Sequence, residues 1–317
     1  MKVSEILNKA QKPLFTFELL PPLKGGTIEH LFESVENLLE FNPAYINVTY
    51  HQHQIEYVER EDGLIEKKIV QKRPGTVAIC TAIKNKYNVT VVPHLICGGF
   101  TKEETEDALI DLHFLGIENV LALRGDPIPG QKRFVPEPGG HTYANELVAQ
   151  IVDMNQGKFL NSEISGKDAS DFSIGVAGYP EKHYESPNLE MDIHWLKNKV
   201  DAGAEYVVTQ MFFDNSKFFQ FVDRCRQAGI QVPIIPGIKP ISAFSDIKLI
   251  PRIFYIDIPN ELCMQVEKCN TKKEVNKVGV EWAVNQCKEL LEYGVPGLHF
   301  FTLSQSDNIR EIVSQVY

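Results

Sequence analysis

The segment Leu14-Phe15-Thr16-Phe17-Glu18-Leu19-Leu20, followed directly by Pro21 and Pro22, decides the fold of this chain. The run is apolar apart from Thr16 and Glu18 and alternates poorly, which predicts a short strand buried on both faces. The two prolines end the strand. A carboxylate at the end of such a strand is poorly solvated, so we expect the pKa of Glu18 to be raised toward the range of a proton donor. The structural alternative is a Glu whose charge is satisfied by a neighbouring Lys or Arg.

Seven further short apolar runs follow along the chain, most of them bounded by Gly, Pro or Asp. They are Tyr45–Thr49, Thr90–Leu95, Asn119–Leu123, Ser173–Ala177, Tyr206–Gln210, Pro233–Pro236 and Gly297–Leu303. Amphipathic segments between them predict helices over Thr27–Glu40, Lys102–Leu115, Asn188–Ala202, Ser216–Ala228, Ser242–Ile250, Lys272–Glu292 and Asp307–Val316. Eight strands with helical crossovers predict an α/β fold, a closed (β/α)8 TIM barrel that forms a single domain over residues 1–317. An open parallel sheet is the alternative.

The composition is that of an ordinary globular protein, with 43% hydrophobic and 23% charged residues. A net charge of −10 without a Lys/Arg block argues against nucleic-acid and anionic-membrane partners. The chain has no window of membrane-spanning length and no apolar signal region in MKVSEILNKAQK, so we expect a cytoplasmic protein. The six cysteines (80, 97, 225, 263, 269 and 287) lack metal-ligand or disulfide spacing and predict buried thiols and no metal site.

Polar residues collect at the C-terminal ends of the predicted strands, where barrel enzymes have their active sites. These residues are Glu18, Thr49, Tyr50, His94, Arg124, Gly125, Asp126, Tyr179, His183 and Gln210. Each has a structural alternative: Asp126 before a proline could open a turn, a lone His is commonly satisfied in the core, and Gln210 precedes an aromatic run typical of a core. The chain contains neither G-x-G-x-x-G after a strand nor a P-loop motif, so a nucleotide cofactor would have to be held by the barrel mouth.

At these residues the chain resembles the methylenetetrahydrofolate reductase family. The matching motifs are TFELLPP, NVTY, VPHLIC, LALRGDP, VAGYPEKHYESPNLEMDIHWLKNKVDAGAEYVVTQMFFD, IIPGIKPIS and LHFFTL, and their order and spacing cover nearly the whole chain. The resemblance implies a (β/α)8 barrel that holds noncovalent FAD at its mouth and reduces 5,10-methylenetetrahydrofolate to 5-methyltetrahydrofolate with NADH or NADPH. It implies that the nicotinamide and the folate take turns at one face of the flavin. We also expect small-molecule partners and a homo-oligomer.

The resemblance also assigns roles to individual positions. It makes Glu18 the general acid, places Asp126 between flavin and pterin, and makes Gln210 a contact of both folate and nicotinamide, with Thr49 also beside the substrate. The residues that it implies for contact with FAD are Thr49, Tyr50, His94, Arg124, Gly125, Asp126, Tyr143, Ala144, Ala177, Tyr179, His183, Asp192 and Lys199. Asp192 and Lys199 lie seven residues apart on one helix face, which by itself would indicate an ordinary solvated surface.

The chain departs from the family pattern at several positions, among them Leu19 and Leu20, where FELLPP stands for FEFFPP. Gln305 follows the last strand where many members have an Arg suited to the glutamyl carboxylate of the folate, and Asp246 and Ile250 stand where some members place Gln and Phe against the folate. Because the chain stops soon after the eighth unit, we expect the shorter bacterial type, without an S-adenosylmethionine-binding domain. Two other functions stay open: the same flavin barrel supplied with electrons by a partner protein, and a folate-binding subunit without activity.

Overall fold

The parallel strands close into a barrel in the computed structural model, which describes residues 1–163, 168–302 and 306–317. The strands are β1 (Leu14–Leu19), β2 (Tyr45–Val48), β3 (Gln54–Glu59), β4 (Ile65–Val70), β5 (Val91–Ile96), β6 (Asn119–Leu123), β7 (Ser173–Gly178), β8 (Tyr206–Met211), β9 (Ile234–Ile238) and β10 (Gly297–Phe301). All except β3 and β4 belong to the barrel, in the order β1-β10-β9-β8-β7-β6-β5-β2, and β2 returns to β1. The prediction of a closed (β/α)8 barrel is confirmed.

Helices connect the barrel strands and pack around them. They are α1 (Val3–Lys9), α2 (Glu29–Leu39), α3 (Thr76–Tyr87), α4 (Lys102–Phe114), α5 (Ala144–Asn155), α6 (Leu189–Asp201), α7 (Asn215–Gln227), α8 (Asp246–Phe254), α9 (Asn260–Glu267), α10 (Lys272–Tyr293) and α11 (Ser306–Val316). Side-chain caps fix several starts, such as Thr101 and Glu104 in a reciprocal capping box on α4. Within the described ranges, no helix combines the length and the apolar character needed to cross a membrane.

The seven predicted helices are present, and the largest shift is at α8. This helix begins at Asp246 and not at Ser242, because the Asp246 carboxylate accepts hydrogen bonds from the backbone N–H and hydroxyl of Ser242 (2.8 and 3.0 Å) and from the N–H of Ala243 (3.1 Å). These bonds hold the preceding residues in a non-helical turn. The sequence analysis did not predict α1, α3, α5, α9 or the β3–β4 hairpin.

Helix α1 closes the N-terminal end of the barrel. Val3 and Leu7 of α1 pack against the interior cluster of Tyr45, Val92, Leu121, Tyr206, Val208 and Ile235. The backbone N–H of Val3 donates to the Asn119 side chain at 2.7 Å, at the first residue of β6. Gly175 makes room for the Tyr206 ring, since a Cβ at Gly175 would lie 2.4 Å from it. The N-terminal end of the barrel interior is therefore filled by side chains, so we expect ligands to bind at the opposite, C-terminal end.

The β3–β4 hairpin projects from the mouth of the barrel between β2 and α3. Its strands pair antiparallel, from Gln54 opposite Val70 to Glu59 opposite Ile65, and most of its side chains are exposed. The Gln71 side chain donates to the carbonyl of His51 at 3.1 Å and closes the base of the hairpin. The hairpin therefore follows directly after the loop that carries Thr49 and Tyr50.

Candidate active site

The predicted polar residues meet at the C-terminal mouth of the barrel. Glu18 is the penultimate residue of β1 and pairs in register with Asn47 of β2 and Phe301 of β10. The other residues lie at or just beyond the ends of their strands: Thr49 and Tyr50 after β2, His94 in β5, Arg124, Gly125 and Asp126 after β6, Ala177 and Tyr179 at the end of β7, and Gln210 in β8. Parallel strands bring these ends to one rim, so the listed residues lie at the same end of the barrel, and their roles in a site stay predictions.

Glu18 lies between two imidazoles. Its carboxylate Oε2 is 3.3 Å from Nε2 of His94 and 3.9 Å from Nε2 of His299, and its side chain is 12% exposed. The other ring nitrogen of His299 lies 2.9 Å from the Thr16 hydroxyl, and the Thr302 hydroxyl donates to the Glu18 carbonyl at 2.6 Å. Glu18, His94 and His299 form what we call the Glu18 cluster. Within the described residues, Glu18 has no Lys or Arg at ion-pair distance.

The expectation of a raised pKa for Glu18 is wrong for the ligand-free protein. Burial raises the pKa of this carboxyl, but the nearby His94 and His299 imidazoles outweigh burial and lower its pKa below the ordinary value. Burial also lowers the pKa of His94 to about 4, against the opposing effect of Glu18. Around neutral pH the Glu18 cluster therefore presents a carboxylate beside a neutral His94.

Buried polar atoms without partners occur in this cluster and at the end of the neighbouring strand β2. Oδ1 of Asn47, Oγ1 of Thr49 and Nε2 of His299 are buried and have no hydrogen-bond partner in the part of the chain that the structure describes. A buried polar group left unpaired costs roughly 1–3 kcal/mol. A ligand with several donors and acceptors on a planar ring, such as a pterin or a flavin, would supply the missing hydrogen bonds at this place.

A cavity of about 270 Å³ lies at the same end of the barrel as the Glu18 cluster, at the ends of β6 and β7 and against α6. We call it the side cavity. It is lined by Ala122, Leu123, Arg124, Tyr143, Ala144, Asn145, Ala177, Tyr179, His183, Glu185, Ser186, Pro187, Asp192, Trp195 and Lys199. Most of the residues implied for FAD contact are in this set, and the remaining ones (Thr49, Tyr50, His94, Gly125 and Asp126) belong to the adjacent ends of β2, β5 and β6.

The side cavity combines cationic groups with a helix N-terminus. Lys199 donates to the Ala177 carbonyl at 2.5 Å, and burial lowers the pKa of Lys199 to about 8, opposed by the nearby Asp192 carboxylate. Asp192 itself accepts from the Ser186 hydroxyl at 2.6 Å, and Arg124 pairs with Glu185. Helix α5 begins at the cavity, where its first backbone N–H groups lack partners within the helix. These features together suit a diphosphate.

The loop after β6 is held by backbone geometry and by the β2 loop. Gly125 has φ +87°, in the left-handed region that favours glycine. The Gln52 side chain donates to the Asp126 carbonyl at 2.5 Å, which leaves the Asp126 carboxylate exposed at the mouth. On β8, the Gln210 side-chain oxygen accepts from the backbone N–H of Met211 at 2.9 Å, so its NH₂ group is the part available to donate to a ligand.

The residues that depart from the family pattern have different positions and contacts in the structure. Asp246 uses its carboxylate to hold the turn before α8, and Ile250 is buried against the Met211 side of the core, at 4% exposure. Gln305 lies outside the described residues, as does Leu303 at the end of the predicted eighth strand. The residues that the sequence analysis missed are Asn47, His299 and Trp195. Asn47 and His299 lie within the NVTY and LHFFTL motifs, and Trp195 follows Asp192 by three residues on the face of α6 that also carries Lys199, so all three had a signal.

A larger groove of about 600 Å³ lies between the end of β1, α2 and the starts of α10 and α11. It is lined mainly by polar side chains, among them Asn37, Lys272 and Asn308. None of the predicted site residues lines it. We therefore place the candidate site at the mouth and not in the larger groove.

Comparisons with known proteins show the family to which the chain belongs. The family model for methylenetetrahydrofolate reductase matches residues 2–317. Methylenetetrahydrofolate reductase (NADH) 1 of Arabidopsis thaliana is 33% identical over 96% of this chain and 48% of its own length, so the chain spans about half of this relative. The 5,10-methylenetetrahydrofolate reductase of Escherichia coli (strain K12) is 33% identical over 92% of this chain and 86% of its own length.

A search of solved structures gives the same fold. An uncharacterized protein from Clostridium thermocellum that binds two copies of 5-methyl-5,6,7,8-tetrahydrofolic acid superposes with a TM-score of 0.58 at 15% identity, covering 100% of this chain and 98% of that one. At this low identity the likeness supports the fold alone.

Proposed function

The chain belongs to the methylenetetrahydrofolate reductase family, and from this premise we propose that it reduces 5,10-methylenetetrahydrofolate to 5-methyltetrahydrofolate, with FAD as cofactor and NADH or NADPH as hydride donor. We further propose that residues 1–317 act as one catalytic barrel. The observation that carries the proposal is the juxtaposition, at one mouth, of the Glu18 cluster and the side cavity. A folate carrier would need the binding surface but not a buried carboxylate between two imidazoles.

FAD, when bound, would supply the hydride chemistry between the nicotinamide and the folate. The residues fit the cofactor: the start of α5 with Arg124 and Lys199 would hold its diphosphate, and the unpartnered Asn47 and Thr49 oxygens would meet a planar ring near Glu18. The protein's own part is to bind, orient and shield these groups.

Glu18 would act as the proton donor for the folate. In methylenetetrahydrofolate the methylene carbon bridges two nitrogens as part of a five-membered ring. This ring opens to the reactive iminium only when the departing nitrogen is protonated. Glu18 is a carboxylate in the ligand-free protein, so it must gain a proton as the substrate binds. A pterin that covers the remaining 12% exposure of Glu18 strengthens burial, the one effect that raises its pKa. The His94 imidazole, whose Nε2 lies 3.3 Å from the Glu18 carboxylate, is the group placed to pass this proton.

Asp126 and Gln210 would complete the site from the opposite strands. The exposed Asp126 carboxylate provides a negative charge for the cation that forms when the folate ring opens. The free NH₂ group of Gln210 provides hydrogen bonds that orient the pterin or the nicotinamide. The relatives include enzymes whose names give NADH and others whose names give NADPH. Activity should therefore be assayed with each of the two hydride donors.

The first prediction concerns the cofactor. We expect the chain to purify yellow, or to become yellow after reconstitution, and heat or acid should release FAD that chromatography identifies. Anaerobic NADH or NADPH should bleach the flavin absorbance without a second protein. Recovery of FMN alone, or of no flavin after reconstitution, would overturn the proposal. Bleaching only on addition of an electron-transfer protein would favour the partner-fed alternative.

A second prediction concerns Asp126. A carboxylate beside the flavin opposes the addition of electrons to it, so Asp126→Asn should raise the midpoint potential of bound FAD and slow folate reduction by about tenfold or more. Spectroelectrochemical titration measures the first effect and stopped-flow absorbance the second. The control is Asp111→Asn on the exposed face of α4, which should change neither. An unchanged or lowered potential in Asp126→Asn would show that its charge does not act on the flavin.

A further inference from the structure

The β3–β4 hairpin presents an apolar face that no other part of the described chain covers. Every residue from Glu56 to Ile69 is exposed. Neither strand alternates regularly on its own, but the antiparallel register collects four apolar side chains, because paired residues point to the same face of a two-stranded sheet. These residues are Ile55, Tyr57, Ile65 and Ile69, and the last three are 71%, 71% and 68% exposed. An exposed apolar patch of this kind is a common mark of an interaction surface.

The hairpin is anchored at its base. Lys24 donates its backbone N–H to the Lys72 carbonyl at 2.8 Å, and the Gln71 side chain donates to the His51 carbonyl at 3.1 Å. Beyond this base the described residues give the two strands no cover, and an isolated two-stranded hairpin is at best marginally stable in water. A surface that packs on the apolar face would therefore stabilise the hairpin.

The charges on the opposite face of the hairpin are already paired. The ion pairs are Glu56–Lys72 at 3.1 Å and Glu66–Lys68 at 3.7 Å. The apolar face carries two charges of its own, Glu59 on β3 and Lys67 on β4. Within the described residues, neither of these two has an ion-pair partner. The apolar face therefore offers one negative and one positive charge to whatever packs on it.

The distribution of these charges identifies a second copy of the chain as the partner. Strand β3 carries Glu56 and Glu59 and no cation, whereas β4 carries Lys67 and Lys68 beside a single Glu66. Rotation by 180° about an axis parallel to the strands lays β3 of each copy over β4 of the other, as in a twofold dimer. Glu59 then faces the strand that carries the partner's Lys67, and the reverse contact is identical. A lipid surface fits less well, because the net charge of −10 opposes binding to anionic lipids.

We propose that the apolar face of the hairpin, with Glu59 and Lys67, is a twofold contact between two copies of this chain. The inference goes beyond the proposed function and does not depend on it, since the contact uses no residue of the Glu18 cluster or of the side cavity. Three pairs of side chains make a small patch beside the ~800 Å² that each partner contributes to a standard interface, so the copies should associate at micromolar concentrations.

Sedimentation velocity over a series of protein concentrations tests this contact. The parent should associate as its concentration rises, and Tyr57→Ser should weaken the association by about tenfold or more, as for a central aromatic residue of an interface. Because Tyr57 is exposed, circular dichroism should show an unchanged fold. The control is Phe114→Ser, which removes a ring that is 80% exposed at the end of α4 and should leave the association within about twofold of the parent.

A pair of charge reversals tests whether the contact lies between copies. Glu59→Lys and Lys67→Glu, each alone, should associate more weakly than the parent, because like charges would then face each other. An equal mixture of the two variants should recover the association, because each new charge faces its opposite on the other chain. Mixing cannot restore an ion pair that forms inside one hairpin.

Several results would overturn the inference. They are a parent that stays monomeric, an association that Tyr57→Ser leaves unchanged, and a mixture of the charge variants that associates no better than either variant alone. A monomeric parent that sediments with anionic vesicles would assign the face to a lipid surface. A monomeric parent in which Tyr57→Ser lowers the affinity for folate would assign the face to closure over the barrel mouth, and both results overturn the inference as well.

Discussion

Glu18→Gln is expected to leave reduction of the bound flavin by NADH within about tenfold of the parent, a barrier change under ~1.4 kcal/mol, while the folate-dependent step slows by ~10² or more. The reason is that only the folate step opens a ring and needs a proton. Gln keeps the size of the side chain between His94 and His299 but carries no transferable proton. Anaerobic stopped-flow measurements follow both steps through the flavin absorbance.

The control for this variant is Glu106→Gln. Glu106 is also a buried Glu, but it lies on α4, where its carboxylate accepts from the backbone N–H of Leu160 at 2.8 Å. It should alter neither step by more than about twofold. If both steps slow equally in Glu18→Gln, Glu18 positions the flavin and the proton donor lies elsewhere. If neither slows, the Glu18 cluster has no part in proton transfer.

Gly279→Ala should destabilise the fold by about 3 kcal/mol or more, at the upper end of overpacking effects. Gly279 is buried in the middle of α10, and a Cβ there would lie 1.8 Å from the carbonyl oxygen of Ile241. That contact is with backbone, so it cannot be relieved by a side-chain rotation. Ile241 follows β9 and directly precedes Ser242, which opens the turn before α8, so the added methyl group pushes on the mouth itself.

Equilibrium unfolding in urea measures this effect. Glu281→Ala provides the comparison on the exposed face of the same helix and should change the free energy of unfolding by no more than about 0.5 kcal/mol. A loss below about 1 kcal/mol in Gly279→Ala would show that α10 can move away from β9 without cost. In that case, the contact between α10 and the loop after β9 would not fix the position of this loop at the barrel mouth.

The barrel was predictable from the sequence because its strands carry a strong signal. Each is a short apolar run bounded by turn residues, and the predicted bounds of β1 and β6 differ from the structure by no more than one residue. The β3–β4 hairpin was missed because its strands are rich in Glu and Lys and have exposed side chains, so they show no hydrophobic alternation. Helix α1 was missed because seven residues with two buried side chains give too short a pattern.

The candidate site was predictable only in part. Strand-end position suggested Glu18, Asp126 and Gln210, but Asp192 and Lys199 look like any solvated helix face until α6 is placed beside β7. The direction of the Glu18 pKa shift was mispredicted because it depends on His94 and His299, which are distant in the chain (His299 by 281 positions, 299 − 18) and come near Glu18 only once β5 and β10 join β1 in the closed barrel. Contacts of this kind come from closure of the barrel, and no local pattern encodes them.

The most direct test of the proposed function is product formation by the purified chain alone. The protein is mixed anaerobically with 5,10-methylenetetrahydrofolate and NADH or NADPH, and the folates are separated and identified by mass spectrometry. The account predicts 5-methyltetrahydrofolate in a one-to-one ratio with the oxidised nicotinamide. Nicotinamide oxidation without this product, or product only when a second protein supplies the electrons, would contradict it.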